Sequence, residues 1–278
     1  MTVLHDLHAH STASDGTLTP TELMTRAADS GVRVMALTDH DTLEGLPEAR
    51  IVAENLGLVF VPGVEISVTW SGRTVHIVGL GVDEESKELQ DGLLSLRNFR
   101  DWRAEEIGRR LAKSGIDGAY EGAKAFSNGH LISRTHFARF LVEAGHAKNV
   151  RQVFKHFLVN RKPGYVAGEW TPLADAVGWI RSAGGQAVIA HPARYDLTRT
   201  KLRRLIADFV EAGGEAIEVV SGSHSKDEYF TMAQHAKDFG LLSSAGSDYH
   251  GPENPWINLG PLPDLPPVCV PIWHDWTT

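Results

Sequence analysis

Seven short apolar runs, most of them separated by helical patterns, constrain the fold of this 278-residue chain more than any other feature. Each run has strand length and is rich in β-branched or small apolar residues. The runs cover residues 3–8, 33–38, 59–66, 75–80, 186–190, 216–220 and 242–245. Because strands that alternate with helices favour a parallel sheet, seven of them predict an α/β barrel or a doubly wound sheet.

Helix signals lie between these runs. The clearest is the first, where Thr19 is a predicted N-cap, Pro20 occupies the first turn and Glu22 completes a capping box. Gly31 marks its end. Further helices are predicted over residues 172–183, 202–211 and 226–239.

The alternation breaks between the fourth and fifth predicted strands. Residues 87–162 have helical periodicity, and the part from 97 to 162 carries 14 Lys and Arg against six Asp and Glu. The remainder carries 13 basic and 29 acidic residues. We therefore expect a barrel built from residues 1–86 and 163–278, with residues 87–162 forming a basic helical insertion that covers the active site. The cations indicate an anionic ligand or, equally, a solvated helical surface.

Composition narrows the cellular setting. The single cysteine, Cys269, excludes an internal disulfide framework and a CxxC metal site, and it is consistent with a reducing cytosol. No apolar run approaches 18 residues, and the first residues lack a secretory leader pattern. We expect a cytoplasmic protein with no membrane contact and no obligate protein partner.

Histidines and acids recur where the predicted strands end. Nine of them stand in short clusters: His8, His10, Asp15, His40, Glu65, His76, His191, Asp248 and His250. The carboxyl ends of barrel strands are where barrel enzymes build their sites, and residues two apart on a strand share a face. A single histidine after a strand is usually an ordinary loop residue, but convergence of six such clusters predicts a metal site.

The ligand types indicate which metals would bind. Imidazole and carboxylate without thiolate suit Mn, Fe or Zn better than a structural zinc site of the cysteine type. We expect manganese, with Fe, Zn and Mg as alternatives. Nine ligands exceed the needs of one ion, and a carboxylate such as Glu65 can bridge two. The sequence therefore predicts a cluster of two to three divalent ions. Such clusters stabilise the attacking oxygen and the leaving oxygen in phosphoryl transfer.

These clusters carry a family resemblance. HAHSTASDG, TDHD, GVEIS, HIVGLG, AHP and GSDYH resemble, in order, the motifs of the PHP (polymerase and histidinol phosphatase) family. ISRTHFARFLVEAG and RKPGYV resemble the lid of a bacterial group in that family, which hydrolyses nucleoside bisphosphates and short RNA. The resemblance implies a distorted (β/α)7 barrel and three metal ions.

The resemblance also assigns ligands to each ion. The first ion would be held by His8, His10, Glu65 and Asp248, and the second by Glu65, His76 and His191. The third would be held by Asp15, His40 and His250. Many family members have histidine at the position of Asp15, so this carboxylate would shift the preference towards manganese or magnesium. Asp39 and Asp41, on either side of His40, would orient neighbouring groups.

The remaining candidates concern substrate. The expected catalytic residues include Asp15, Glu65 and Asp248. We also expect Arg134 to neutralise charge during catalysis, and His224 to act as a leaving-group acid or as a substrate contact. The expected substrate-binding residues are Ser133, Arg134, His136, Lys162, Tyr165, Arg194 and His224, with Phe137 as a further stacking candidate. Ser133 would cap a helix whose N-terminus favours phosphate.

The expected activity is removal of the 3′-phosphate from nucleoside 3′,5′-bisphosphates (pAp to AMP), together with 5′–3′ exoribonuclease action on short 5′-phosphorylated RNA. Histidinol-phosphate hydrolysis is the alternative enzyme reading, although it would leave the basic insertion without a role. A metal-binding module without catalysis and, less favoured, a C–N hydrolase also remain open.

Overall fold

The seven apolar runs all contribute strands to one sheet in the computed structural model, which describes residues 4–127, 131–254, 256–260 and 262–276. Val3, in the first run, lies outside these residues. The strands are β1 (His5–Asp6), β2 (Val34–Leu37), β3 (Val59–Trp70), β4 (Arg73–Leu80), β5 (Thr171–Pro172), β6 (Gln186–Ile189), β7 (Ala216–Ser221) and β8 (Leu242–Gly246). Their order is β1-β2-β3-β4-β6-β7-β8, with β5 on β3.

The sheet closes into a barrel through its outermost strands. The Leu7 N–H donates to the Ala245 carbonyl at 3.0 Å, and Ala9 forms a parallel bridge with Tyr249. Inside, small and branched side chains such as Val34, Ala36 and Val188 fill the space without exposure to solvent. The predicted α/β barrel is therefore confirmed.

The expectation of an all-parallel sheet is wrong at β4. This strand runs antiparallel to both β3 and β6. The cause is a two-residue turn at Ser71 and Gly72, whose φ angles of 47° and 72° are typical of a tight hairpin. β3 also extends to Trp70, beyond the predicted end. Because β4 is reversed, its amino-terminal half lies at the same rim as the carboxyl ends of the parallel strands.

Nine α-helices lie within the described residues. They are α1 (Pro20–Asp29), α2 (Leu46–Leu56), α3 (Lys87–Lys113), α4 (Ala119–Phe126), α5 (Arg134–Glu143), α6 (Val150–Val153), α7 (Leu173–Ser182), α8 (Arg199–Glu211) and α9 (Lys226–Phe239). The capping box of α1 forms as predicted: the Glu22 carboxylate accepts the Thr19 N–H at 2.8 Å, and the Thr19 hydroxyl accepts the Glu22 N–H. None of the described helices combines the length and the apolarity that crossing a bilayer requires.

The helices α3 to α6, followed by a π-helical turn (Phe154–Leu158), occupy the segment between β4 and β5. They share a separate apolar core that includes Ile107, Phe137 and Leu158. α3 also packs on α7, and Gly92 is needed there because a Cβ at this position would lie 2.5 Å from the Trp179 ring. α5 thereby comes to lie against the loop that follows β1.

The last described residues, 270–276, lie at the opposite end of the barrel from the candidate ligands. The Ile272 N–H donates to the Ser243 carbonyl, and the Trp273 ring stacks on His5 with centroids 4.1 Å apart. Trp276 donates its indole N–H to the Gln186 side chain at 2.9 Å. This irregular segment closes the amino-terminal end of the barrel and leaves the carboxyl rim open.

Candidate metal centre

All nine predicted ligands meet at the carboxyl rim. His8 and His10 follow β1, His40 follows β2, and His191 follows β6. Glu65 and His76 lie within β3 and β4, and the reversal of β4 accounts for a ligand near the start of that strand. The structure arranges the nine in four overlapping groups of three or four: His10, Asp15, His40 and His250; His8, Glu65 and His191; His8, His10 and Asp248; His40, Glu65 and His76.

Glu65 is central to these groups. Its Oε2 lies 3.4 Å from His8 Nε2, 3.3 Å from His10 Nε2 and 3.0 Å from His40 Nδ1. Its Oε1 lies 2.9 Å from His76 Nδ1 and 3.0 Å from His191 Nε2. The two oxygens therefore face two different sets of imidazoles, which is the arrangement expected of a bridging carboxylate.

Asp248 and Asp15 complete the arrangement on either side. Asp248 Oδ1 lies 3.4 Å from His10 Nε2 and 3.6 Å from His8 Nε2. Asp15 Oδ1 lies 3.2 Å from His250 Nε2 and 3.9 Å from His40 Nε2. The three carboxylates thus lie in three neighbouring imidazole environments. The assignment of ligands to individual ions stays a prediction, because His191 also groups with His8 and His40 also groups with His76.

The electrostatic environment of these groups favours positive charge. Burial alone would raise the pKa of Glu65, but His40, His76 and His8 hold it well below the usual value. Burial would lower the pKa of His10, yet the neighbouring carboxylates of Asp248 and Glu65 raise it to about 10. Carboxylates are therefore ionised here, and positive charge is favoured between them.

Two buried oxygens provide a direct test of whether the residues suit metal. Glu65 Oε2 and Asp15 Oδ1 have no hydrogen-bond partner among the described residues, although both face imidazole nitrogens. Unpaired buried carboxylate oxygens are costly, and a divalent cation satisfies several at once. The donor set, all imidazole and carboxylate, suits such ions.

Neighbouring acids hold the loops rather than the imidazoles. Asp39 accepts hydrogen bonds from the Ser11 N–H at 2.8 Å and from the hydroxyls of Ser11 and Ser14 at 2.6 Å. Asp41 accepts from the Ser67 N–H and pairs with Arg100 at 2.6 Å. Both aspartates thus contact backbone, serine or arginine groups, and their orienting role stays a prediction.

Sequence reasoning missed Glu218, which lies in β7 and contacts both His8 and His191. A single buried acid in the apolar strand AIEVVS was the available signal, since such an acid needs a partner.

Four arginines, together called the cationic wall, share one cavity with candidate metal ligands. Arg100 and Arg103 of α3, Arg134 of α5 and Arg194 all line it. Burial, aided by Arg134 and Arg100, lowers the pKa of Arg103 to about 9, which reflects crowding of like charges. The guanidinium groups of Arg100 and Arg103 lie 4.9 and 5.3 Å from the Trp170 ring centroid. The i, i+3 spacing of these two arginines could have revealed them, but α3 carries many other charges.

The predicted substrate contacts divide into two sets. Ser133, Arg134 and Arg194 line the cavity, and Arg194 pairs with Asp248. Four others are not among the residues that line it: His136, Lys162, Tyr165 and His224.

The structure explains the positions of three of these four residues and of Phe137. His136 accepts the Ser133 N–H in the cap of α5, and Lys162 is exposed. The His224 ring contacts the Val219 carbonyl and the Ala193 N–H, so neither nitrogen is free to protonate a leaving group. Phe137 is fully buried in the core of the α3–α6 segment and offers no stacking surface.

Comparison with known proteins gives concordant matches. The model of the PHP domain matches residues 6–170. A 3′,5′-nucleoside bisphosphate phosphatase of Chromobacterium violaceum is 52% identical over 271 residues, covering 97% of this chain and 95% of the relative. A 5′–3′ exoribonuclease of Haemophilus influenzae is 46% identical and covers 99% of each chain. A structure described as an amidohydrolase from C. violaceum, with bound sulfate, has a TM-score of 0.94 at 52% identity, covering 97% of this chain and 94% of its own.

Proposed function

Because the chain belongs to the PHP domain family, we propose that it is a metal-dependent phosphoesterase acting on nucleotides. Its substrates are nucleoside 3′,5′-bisphosphates, from which it removes the 3′-phosphate, and short 5′-phosphorylated RNA, which it shortens from the 5′ end. The relatives named above carry these two activities in their names. One observation carries the proposal to this chain: a single cavity is lined by both candidate metal ligands and guanidinium groups.

The nine imidazole and carboxylate side chains at the rim would hold two to three divalent ions, with manganese as the proposed metal. Such ions lower the pKa of water to near neutral and draw charge from phosphoryl oxygens. The protein keeps Glu65, Asp15 and Asp248 ionised, which suits them to hold cations. Arg194 lies beside Asp248 and neutralises the phosphate that is cleaved.

The second phosphate of the substrate binds to the cationic wall. Within the described residues, neither Arg103 nor Arg134 is ion-paired with a carboxylate, whereas Arg100 pairs with Asp41. Buried guanidinium groups without carboxylate partners recognise phosphate through charge-assisted hydrogen bonds. The helix α5 begins at Arg134, so its N-terminus adds a further favourable field.

The insertion in this proposal is residues 87–162, which supply three of the four arginines and cover the metal centre. The Phe154 ring lines the cavity beneath the Arg134 guanidinium, at 5.7 Å, and offers the aromatic face for the base. It takes the role that the sequence suggested for Tyr165. Together these contacts recognise a nucleotide carrying phosphates at both ends.

The test is a comparison of substrates by purified, manganese-loaded protein. We expect adenosine 3′,5′-bisphosphate to be cleaved to AMP with kcat/KM about 10- to 100-fold above that of adenosine 3′-monophosphate. The second phosphate adds charge-assisted hydrogen bonds worth about 1.5–3 kcal/mol each, part of which is offset by desolvation. Higher turnover of histidinol phosphate, hydrolysis of amide substrates alone, or release of the 5′-phosphate would contradict the proposal.

A further inference from the structure

Glu218 is a buried acid that the metal centre does not use as a ligand. It occupies the third position of β7, and only 1% of its surface is exposed. Ile217, Val219 and Val220, its neighbours along the strand, belong to the apolar core. A carboxylate in such a strand is costly unless partners compensate, so its contacts indicate why it is there.

Both oxygens of Glu218 contact candidate metal ligands. Oε1 lies 2.5 Å from His8 Nδ1, and Oε2 accepts the backbone N–H of His191 at 2.5 Å. His8 follows β1 and His191 follows β6, so one side chain on β7 connects two ligands from different strands.

The first contact determines which nitrogen of His8 is available. A carboxylate can only accept, so Nδ1 carries the hydrogen that Glu218 receives. The other nitrogen, Nε2, then keeps its lone pair when the ring is neutral, and it points to Glu65 Oε2 at 3.4 Å and Asp248 Oδ1 at 3.6 Å. The carboxylate thus fixes the tautomer in which His8 can ligate.

The second contact holds the backbone of His191. This residue has φ of 29° and ψ of 55°, a conformation that residues with a side chain adopt rarely. The bond from its N–H to Oε2 holds the backbone where its Nε2 lies 3.0 Å from Glu65 Oε1.

We propose that Glu218 is a positioning residue of the metal centre, which fixes the His8 tautomer and the His191 backbone together. The inference rests on the proposed metal-dependent function, because positioning matters only if these imidazoles bind cations. Carboxylates that accept from ligating histidines commonly contribute 10- to 100-fold to metal affinity.

Glu218→Gln tests this role with little change in shape. The His191 N–H can only donate, so the amide oxygen must serve it, and the amide NH₂ then faces His8 Nδ1. His8 must become an acceptor at Nδ1, which moves the proton of its neutral form to Nε2, towards Glu65. We expect the dissociation constant for Mn²⁺, measured by chelator competition, to rise about 10- to 100-fold. ¹⁵N spectra of the metal-free, histidine-labelled protein should show one imidazole changing tautomer.

Two comparisons separate positioning from a merely structural role. The melting temperature of the metal-free protein should not fall in Glu218→Gln, since an amide is less costly to bury than a carboxylate. Glu215→Gln, three residues earlier and only half-buried, is the matched control and should leave Mn²⁺ affinity unchanged. Unchanged affinity in Glu218→Gln, or a lower metal-free melting temperature with normal affinity, would overturn the inference. Failure of the unsubstituted protein to bind Mn²⁺ would instead overturn the proposed function.

Discussion

Glu65 lies within 3.4 Å of five imidazole nitrogens, and no other side chain links as many of the candidate ligands among the described residues. Its motif GVEIS was identifiable in the sequence because it belongs to a known set. Glu218 was not identifiable in that way, since a lone acid in an apolar strand reveals its partners only when β1, β6 and β7 are assembled. Ligands that follow strands are therefore easier to predict than the groups that orient them.

Removing the bridge should abolish catalysis. We expect Glu65→Ala to lower kcat/KM at least ~1,000-fold, equivalent to about 4 kcal/mol of transition-state stabilisation. It should also lower the number of Mn²⁺ ions bound per chain, measured by elemental analysis after dialysis. Glu54→Ala, at an exposed position of α2, is the control. A normal rate in Glu65→Ala would contradict the bridging role.

Arg134 is predicted to act on binding more than on the chemical step, because it lines the cavity without being one of the candidate metal ligands. Arg134→Ala should raise KM for adenosine 3′,5′-bisphosphate about 10- to 100-fold, from loss of a charge-assisted hydrogen bond, with a smaller change in kcat. Steady-state kinetics measure both. Arg151→Ala, exposed on α6, should leave both constants unchanged. A fall in kcat alone would place Arg134 in the chemical step.

At the scale of elements, α5 shows how the α3–α6 segment contacts a candidate metal ligand. The hydroxyls of Ser133 and Thr135 donate to Asp15 Oδ2 at 3.2 and 3.0 Å, and Arg139 donates to the Asp15 carbonyl at 2.9 Å. The start of this helix was predicted from Ser133, but its docking on Asp15 depends on tertiary packing. The reversal of β4 escaped prediction for a similar reason, since Ser71 and Gly72 are a weak turn signal in sequence.

The cap of α5 makes stability depend on pH. His136 Nδ1 accepts the Ser133 N–H at 3.1 Å, and burial lowers the pKa of His136 to about 4. The unfolded chain takes up a proton on this imidazole below about pH 6.5, whereas the folded protein does so only near pH 4. Stability is therefore lost as pH falls from about 6.5 to about 4, by an amount on the order of 2–3 kcal/mol.

His136→Gln should remove this pH-dependent part while keeping an acceptor at the third position of the helix. Melting temperatures of metal-free protein between pH 4.5 and 7.5 provide the measurement. On acidification, the melting temperature of the unsubstituted protein should fall by roughly 5 °C more than that of the variant. His146→Gln, at an exposed position, is the control. Parallel curves for the protein and His136→Gln would contradict the assignment.

At the scale of the whole molecule, strand and helix periodicity was sufficient to predict the α/β barrel. Histidines and acids at the strand ends were sufficient to locate the candidate site at the carboxyl rim. The charge asymmetry between residues 97–162 and the rest of the chain also has a structural counterpart. Three arginines of that segment line the cavity, facing the acidic side chains of the barrel. The sequence could not predict which cations line the cavity. Lys162 and Arg103 are both basic residues of the same segment, and only the packing of the helices distinguishes their positions.

The central claim is that the assembled rim binds divalent ions and thereby hydrolyses a phosphate ester. The most direct measurement is phosphate release from adenosine 3′,5′-bisphosphate by chelator-treated protein as Mn²⁺ is added back. We predict no release without metal and a rate that rises to a plateau at two to three bound ions per chain. Release that persists undiminished in the metal-free protein, or none at full Mn²⁺ loading, would contradict the account.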